Sequence, residues 1–472
     1  MSDGRSLKGI SNTVFVVGLV VAIFTSALIS GIVVTQFGLQ GPKGDKGDTG
    51  PATFAATYTI ETDGSGNYRA TKYDGSISWD STNASYTIDS AINAMTTGGK
   101  IHLSIGTFTL TAPILFGQGS GVSGYRYSWI LEGEGILSTT LSVATAGVSA
   151  IIVKNETEVG LRDFRLNMGS SAGYGIWGDG SGTGSPVSFR NSEIRNILIE
   201  SGNPNYAQMR LENPSYVYGA DIGLASGIDY QNNCEIICTN TSTSNYGNSE
   251  FDALHCYNNK GIGLLLNGCR YDSSDHIMNM ITFNNLNIFS YDNGVDGIRI
   301  GYLVSCNTFV NPDIEGFTDC VHIDGISSRE PTNNVFYSGY LQSPTNAINC
   351  GTKSHSNVFR DIRTYGKVID SSTYFGNIFQ DLSMGSGTFT KGTYTVCTGK
   401  ASPTTFFSNT ASVTVGAGVS QYNITHTLIA SPTTVLLTTS WATTISYVGS
   451  STWLNVTFGT TTGGTLTWYT GI

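Results

Sequence analysis

The sequence predicts a mostly β protein: a parallel β-solenoid behind an N-terminal transmembrane helix, ended by a C-terminal β-sandwich. Three observations lead there. A couplet of short steps recurs between residues 291 and 384, an apolar run without a charge fills 13–39, and a charge-free stretch rich in strand formers follows Lys400.

The couplet is a Gly-Ile-like step followed by an Asn-x-Phe step. It reads Gly297-Ile298 with Asn307-Thr308-Phe309, Cys320-Val321 with Asn334-Val335-Phe336, Ala347-Ile348 with Asn357-Val358-Phe359, and Lys367-Val368 with Asn377-Ile378-Phe379. Successive Asn-x-Phe steps lie 27, 23 and 20 residues apart, a coil period and not a helical one. Each step is β-branched or aromatic and is flanked by turn residues, so each reads as a short strand. Coils of this size bury their inward side chains only by stacking on neighbours. An Asn at a fixed corner tolerates a left-handed backbone, and stacked copies form an amide ladder, with the Phe two places later inside.

The chain has 472 residues, of which 12% are charged, about half the usual ~25%. A surface of hydroxyls and amides suits an exposed β protein. The net charge of −10 excludes nucleic acid as a partner, because no basic stripe is available to neutralise phosphates. All eight cysteines fall between Cys234 and Cys397. Cys234-x3-Cys238 has no second pair at zinc-finger spacing, so no metal set is assigned, and the thiols read as small core residues or as disulfides between coils.

Residues 13–39 are long enough to cross a bilayer as one helix. Arg5 and Lys8 before it favour a cytoplasmic tail at 1–12 and an extracellular remainder. The expected location is therefore the cell membrane. Lys8-Gly9-Ile10-Ser11 also resembles the processing site of archaeal type IV prepilins, which implies cleavage after Gly9 and a filament subunit as the alternative. Four Gly-X-Y triplets occupy 41–52 within a spacer at 40–52. They resemble the collagen-like stalks of microbial surface proteins and phage fibres, and imply a homotrimer if another element holds three chains together.

From Tyr73-Asp74-Gly75 the chain enters the solenoid. Ile88 to Met95 has helical spacing, Gly98-Gly99 stops it, and Lys100-Ile101-His102-Leu103 and Gly106-Thr107-Phe108-Thr109-Leu110 follow as strands. A helix here caps the open end of the solenoid. This order, with Leu131-Glu132-Gly133-Glu134-Gly135 and Thr140-Leu141 after it, resembles the start of pectate-lyase-like right-handed parallel β-helix proteins. The resemblance covers roughly 70–385 and implies a right-handed parallel β-helix, assigned to 53–395. It implies no single activity, since that superfamily holds polysaccharide lyases, glycoside hydrolases, tailspikes, epimerases and non-catalytic adhesins.

Superposing the Gly-Ile steps at 175–176, 227–228, 261–262, 297–298, 320–321 and 347–348 turns the following residue outward. That face carries Trp177, Asp229, Arg299, His322 and Asn349, with Asp179 and Asp324 two places further on. An aromatic platform, an Arg able to grip a uronate carboxylate, and carboxylates able to act as acid, base or calcium ligands suit a polysaccharide. Arg299, His322, Asp324 and Asp229 are the catalytic candidates; Trp177, Asp179 and Asn349 are the substrate-binding ones. Arg beside a base suits β-elimination, and two carboxylates suit hydrolysis. Asp252 with His255, and Asp275-His276, are lesser candidates. The polygalacturonase set of Asn-Thr-Asp, Asp-Asp, His-Gly and Arg-Ile-Lys is absent.

Residues 396–472 form the last unit. After Lys400 no Asp, Glu, Lys or Arg occurs, and strand-like runs begin at Ala411, Thr434, Ile445, Trp453 and Leu466. The arrangement resembles terminal domains of phage fibres, which trimerise or bind glycans, and Trp441, Trp453 and Trp468 are available for stacking on sugar. Together these features describe a membrane-anchored surface protein that binds polysaccharide, with lyase or glycosidase cleavage left open, or else a non-catalytic adhesin or filament subunit.

Overall fold

The computed structural model describes residues 56–471 except 118–127, 155–157, 181–188, 227–230, 240–245, 259, 272–273, 326–328, 374, 399–407, 416–420, 426–433, 441–444, 450–452 and 459–463. The transmembrane, prepilin-like and Gly-X-Y expectations lie outside the described residues. No helix among the described residues is long and apolar enough to cross a membrane.

Between residues 58 and 398 the chain winds as a parallel β-helix, and strand register shows it directly. In a first ladder, Tyr58–Thr62 lies parallel beside Gly99–Leu103, which lies parallel beside Trp129–Glu132, and the stacking continues to Ile378–Gln380 and Val396–Thr398. A second ladder starts with Gly106–Leu110 beside Thr139–Val143. The third starts with Ile114–Phe116 beside Ile151–Lys154 and runs on through Ile176–Asp179, Met209–Glu212 and Cys234–Ile237. Later coils supply the second and third ladders from one long strand that bends at a corner, as in Asn287–Ile300 and Asp313–Ile323. In the latter the corner is Gly316, at φ 81°, and a Cβ there would lie 2.1 Å from the Ser290 carbonyl oxygen.

Period-two alternation builds the core. Thr139–Val143 buries every other residue, and the same holds around the coils. On the first ladder Phe251, Phe283, Phe309, Phe336, Phe359 and Phe379 stack with centroids 4.4–5.4 Å apart and nearly parallel planes. Beside them the amides of Asn307, Asn334, Asn357 and Asn377 form a buried hydrogen-bonded ladder. The ladder asparagines do not themselves take the left-handed backbone. Where they were expected to, the preceding residue does: Cys306, Asn333 and Ser356 have φ near 56°. The corner thus swings the Asn amide inward, where a carbonyl of the preceding coil and the Asn of the next one satisfy it.

The first helix starts earlier than its apolar spacing predicts, at Ala84–Ala94, because Asn83 caps it by accepting the Tyr86 N–H at 3.1 Å. It buries Ala84, Ile88, Ala91 and Ile92 at the entry to the coil stack, preceded by an antiparallel meander, Tyr58–Thr62, Tyr68–Lys72 and Ile77–Ser81. All eight cysteines are free thiols, and seven are buried.

Beyond the coils, residues 408–471 form two three-stranded antiparallel sheets. One orders Ser408–Val415, Gly464–Gly471 and Thr434–Thr439; the other orders Gln421–Thr425, Trp453–Phe458 and Ile445–Gly449. Leu454, Val456 and Leu466 are buried, whereas Trp453 is exposed. Asn423 and Asn455 sit opposite one another, joined by an amide hydrogen bond of 2.7 Å.

Candidate functional site

The outward row of the third ladder is the face that the Gly-Ile superposition sought. Register sets Trp177 beside Arg210, Arg210 beside Glu235, Glu235 beside Leu265, Leu265 beside Arg299, then His322 and Asn349. Trp177, Arg299, His322 and Asn349 therefore do share one row. Trp177 and Arg299, however, stand four rungs apart, roughly 19 Å at ~4.8 Å per coil.

The sequence superposition slips between them. The rung expected at Ile228, with Asp229 outward, is filled by Cys234 and Glu235, and Asp229 lies outside the described residues. Gly263-Leu264, not Gly261-Ile262, aligns with Gly297-Ile298. Ile262 and Leu264 have the same parity, so alternation alone cannot tell one register from the other. Asp179 is not a surface group: it is buried and ion-paired to Lys154 of the preceding coil at 2.9 Å. Asp324 is exposed just past the strand end, beside Gly351, away from the cavity described below. Asp252 and His255 sit on different ladders, opposite Asn284 and Asn287.

Two polar clusters occupy the row. In the first, the buried Glu212 carboxylate accepts from Arg210 Nε at 2.8 Å, Trp177 Nε1 at 3.3 Å and the Gly180 N–H at 3.2 Å. Arg210 also reaches Glu235 at 2.9 Å and lies over the Tyr174 ring at 5.6 Å. Tyr174 packs edge-on against Tyr206 and tilted against Trp177. The charges here satisfy one another and hold three aromatic rings in place.

The second cluster surrounds His322. Its Nδ1 lies 3.3 Å from Asp296 Oδ1 and 3.5 Å from Asp319 Oδ2. Asp296 and Asp319 are buried. Arg299 Nε approaches Asp296 Oδ2 to 2.5 Å as a charge contact without hydrogen-bond alignment. Asp319 is held by the amides of Asn346 at 2.7 Å and Asn349 at 2.6 Å. The hydrogen bond that His322 donates to Asp296, together with the charges of Asp296 and Asp319, raises the His322 pKa above its ordinary value, against burial and Arg299. Lys260, Asp292, Asp296, Arg299, Asp319 and His322 line an open cavity of about 430 Å³.

Asp296 and Asp319 went unnoticed in the sequence, although a signal was there. Asp296, Asp319 and Asn346 each stand three residues before an outward polar residue, Arg299, His322 and Asn349. Alternation assigns that position to the interior; the corner before Gly297, Cys320 or Ala347 turns it toward the cavity floor.

One ligand atom from each of Asp296, Asp319 and His322 falls within 4.8 Å of the others, the metal-capable set among the described residues. It does not fit calcium. Calcium takes six to eight oxygens, whereas here an imidazole, a guanidinium and two amide donors already surround the carboxylates.

Across the Asn293 corner lies a second cavity of about 380 Å³, lined by Asn293, Gly316, Gln342, Ser343, Pro344 and Tyr365. Arg363 lies over both Tyr340 and Tyr365, and Asn293 borders both cavities.

No family model matches the chain, and no curated protein matches it in sequence. Among solved structures, the A-module of the Azotobacter vinelandii mannuronan C-5 epimerase AlgE4 is similar at 14% identity, over 66% of this chain and 92% of that one, with a TM-score of 0.36. The tailspike protein gp49 of Pseudomonas phage LKA1 is similar at 10% identity, over 82% and 92%, with a TM-score of 0.36. The catalytic domain of a GH87 alpha-1,3-glucanase in complex with tetrasaccharides shows 13% identity, over 67% and 65%, with a TM-score of 0.38. These scores are low, and the parallel β-helix stands on strand register itself.

Proposed function

We propose that the protein binds an acidic polysaccharide along the third-ladder face, with the Arg299–His322 pair as its anchor. The observation that carries this is the pairing of Arg299 with a His322 whose positive charge two buried carboxylates favour, both at the wall of an open cavity. A guanidinium and an imidazolium side by side suit a uronate carboxylate, the former through two parallel hydrogen bonds. His322 Nε2 has no protein partner among the described residues, which leaves it free to donate to a sugar oxygen. The ring platform of Trp177, Tyr174 and Tyr206 supports a further sugar contact along the row.

Cleavage is the finer reading. Arg299 on the carboxylate would stabilise the enolate of a β-elimination, and His322 as an imidazolium would protonate the departing glycosidic oxygen. Asp229 remains a proposal for the base, whereas Asp324 lies away from the cavity. The apolar run at 13–39, the Gly-X-Y triplets and the charge-poor surface support display at the cell surface on a single-pass anchor, as a trimer.

The test is binding of the full chain to a panel of polyuronates and neutral glycans, with unsaturated product and new reducing ends followed together. Polyuronate binding that weakens at least ~10-fold in Arg299→Ala supports the reading, each lost charge-assisted contact accounting for about that factor. Unsaturated product adds lyase activity to it. No binding across the panel overturns it in favour of a structural surface protein, and cleavage after Gly9 with detergent-stable filaments would identify a filament subunit.

A further inference from the structure

We propose that Cys238 and Cys269 form an oxidisable dithiol that closes to an intramolecular disulfide and ties two successive coils together. This is independent of the glycan reading. Ile237 pairs with Asn267, and the Cys238 N–H donates to the Asn267 carbonyl at 2.9 Å, which sets residues 238 and 268 side by side. Cys269 follows at once, and its Sγ donates to the carbonyl of Thr239, the residue after Cys238, at 3.0 Å. Both side chains are buried at this junction of the two coils. With strands about 4.8 Å apart and a rise of about 3.3 Å per residue, residues one step out of register stand roughly 6 Å apart at Cα, within the ~4.4–6.8 Å that a disulfide spans.

The other buried cysteines differ. Cys234 and Cys256 are core neighbours whose thiols burial pushes up, and Cys320 and Cys350 occupy interior positions of their own. Cys238 and Cys269 instead meet across adjacent coils through the backbone contacts at 238–239 and 267–269. The neighbouring Cys269 and burial push the Cys238 thiol well up. Cys269 also opens the small antiparallel hairpin of Cys269–Tyr271 and Ser274–His276, outside the main ladders.

The co-reactant is a small-molecule disulfide. The thiolate of one of the two cysteines attacks one of its sulfurs, forming a mixed disulfide and releasing one thiolate. The other cysteine then gives up its proton, and its sulfur displaces the second thiol. Two protein thiols become one disulfide, and the two electrons reduce the small disulfide to two thiols. The bridge closes a loop that skips one full coil, which restricts the unfolded chain more than the folded one.

The experiment treats reduced full chain with oxidised glutathione, alkylates the remaining thiols and maps the peptides without reduction. Trypsin cuts after Lys260, which separates the two cysteines. The expected result is an intact mass lower by two hydrogens, a Cys238–Cys269 cross-link assigned by fragmentation, and a higher thermal midpoint that a reductant reverses. Cys269→Ser should abolish the cross-link, and Cys234→Ser should leave it. Recovery of Cys238 and Cys269 as alkylated thiols, or linked to other cysteines, overturns the proposal. The map of the unsubstituted protein decides even if a variant fails to fold.

Discussion

Asn377 donates its side-chain amide to the buried Asp370 carboxylate at 2.9 Å and thereby ends a chain of amides that crosses four coils. The chain has one direction. Asn307 donates to Asn334, Asn334 to Asn357, and Asn357 to Asn377, each at 2.9 Å, while Asn307 Oδ1 accepts the Ile281 N–H at the other end. Aligned dipoles that finish on a negative charge strengthen one another, and Thr395 Oγ1 at 2.6 Å secures the terminal carboxylate.

Asn334→Ala should therefore be costly. It removes the acceptor of both the Asn307 N–H and the Asn307 amide, and the donor to Asn357. The expected loss is about 3 kcal/mol, measured by chemical denaturation. A loss under about 0.5 kcal/mol would show that water replaces the amide and that the ladder contributes little.

The Phe stack predicts a second large effect. Phe336 lies between Phe309 at 4.4 Å and Phe359 at 4.8 Å, fully buried. Phe336→Ala should lower stability by about 3–5 kcal/mol, and Phe336→Leu by less. Equal losses for both would mean that ring stacking, and not filled volume, sets the cost.

Asp89 should make the helix cap pH-sensitive. Burial raises its pKa to about 6, against the hydrogen bond it accepts from the Leu115 N–H at 3.0 Å. A carboxyl whose folded pKa is raised contributes stability below its unfolded pKa of 3.8, and that contribution is lost as pH rises through 6. Asp89→Asn keeps the acceptor oxygen. It should leave stability near pH 4 almost unchanged and add about 1–2 kcal/mol at pH 8, as seen in denaturation midpoints at the two pH values.

His322 sets a pH dependence for binding. Its pKa is raised, chiefly by the hydrogen bond to Asp296, so its positive charge is complete below the ordinary His value and disappears as pH climbs through the raised one. Polyuronate affinity should fall across that range. In His322→Gln the affinity should be weaker at low pH and nearly flat with pH, while neutral glycans should show no such slope in either protein. Titration calorimetry at several pH values gives both comparisons.

The solenoid was legible from the sequence because its coils repeat. Asn307, Asn334, Asn357 and Asn377 with their Phe partners recur at the stacking period, and the register of the structure pairs each with the next. The site was legible in part. Arg299, His322 and Asn349 share a row because period-two alternation holds where couplets are regular. Before residue 290 the coils lengthen to admit excursions, and the rungs of Arg210 and Glu235 escaped notice because they carry Met209 and Cys234 where Gly-Ile was sought.

What the sequence alone determined is therefore everything that periodicity encodes: parallel coils, a stacked Phe and Asn interior, and which side of a regular strand faces water. What only the tertiary structure decided lies at the corners. Cross-coil register set Asp179 against Lys154, and backbone turns brought Asp296 and Asp319 round to His322. They also set Cys269 beside Cys238, one coil away. Each of these contacts joins residues of different coils, or residues on either side of a corner. Its geometry depends on how far one coil advances before the next begins.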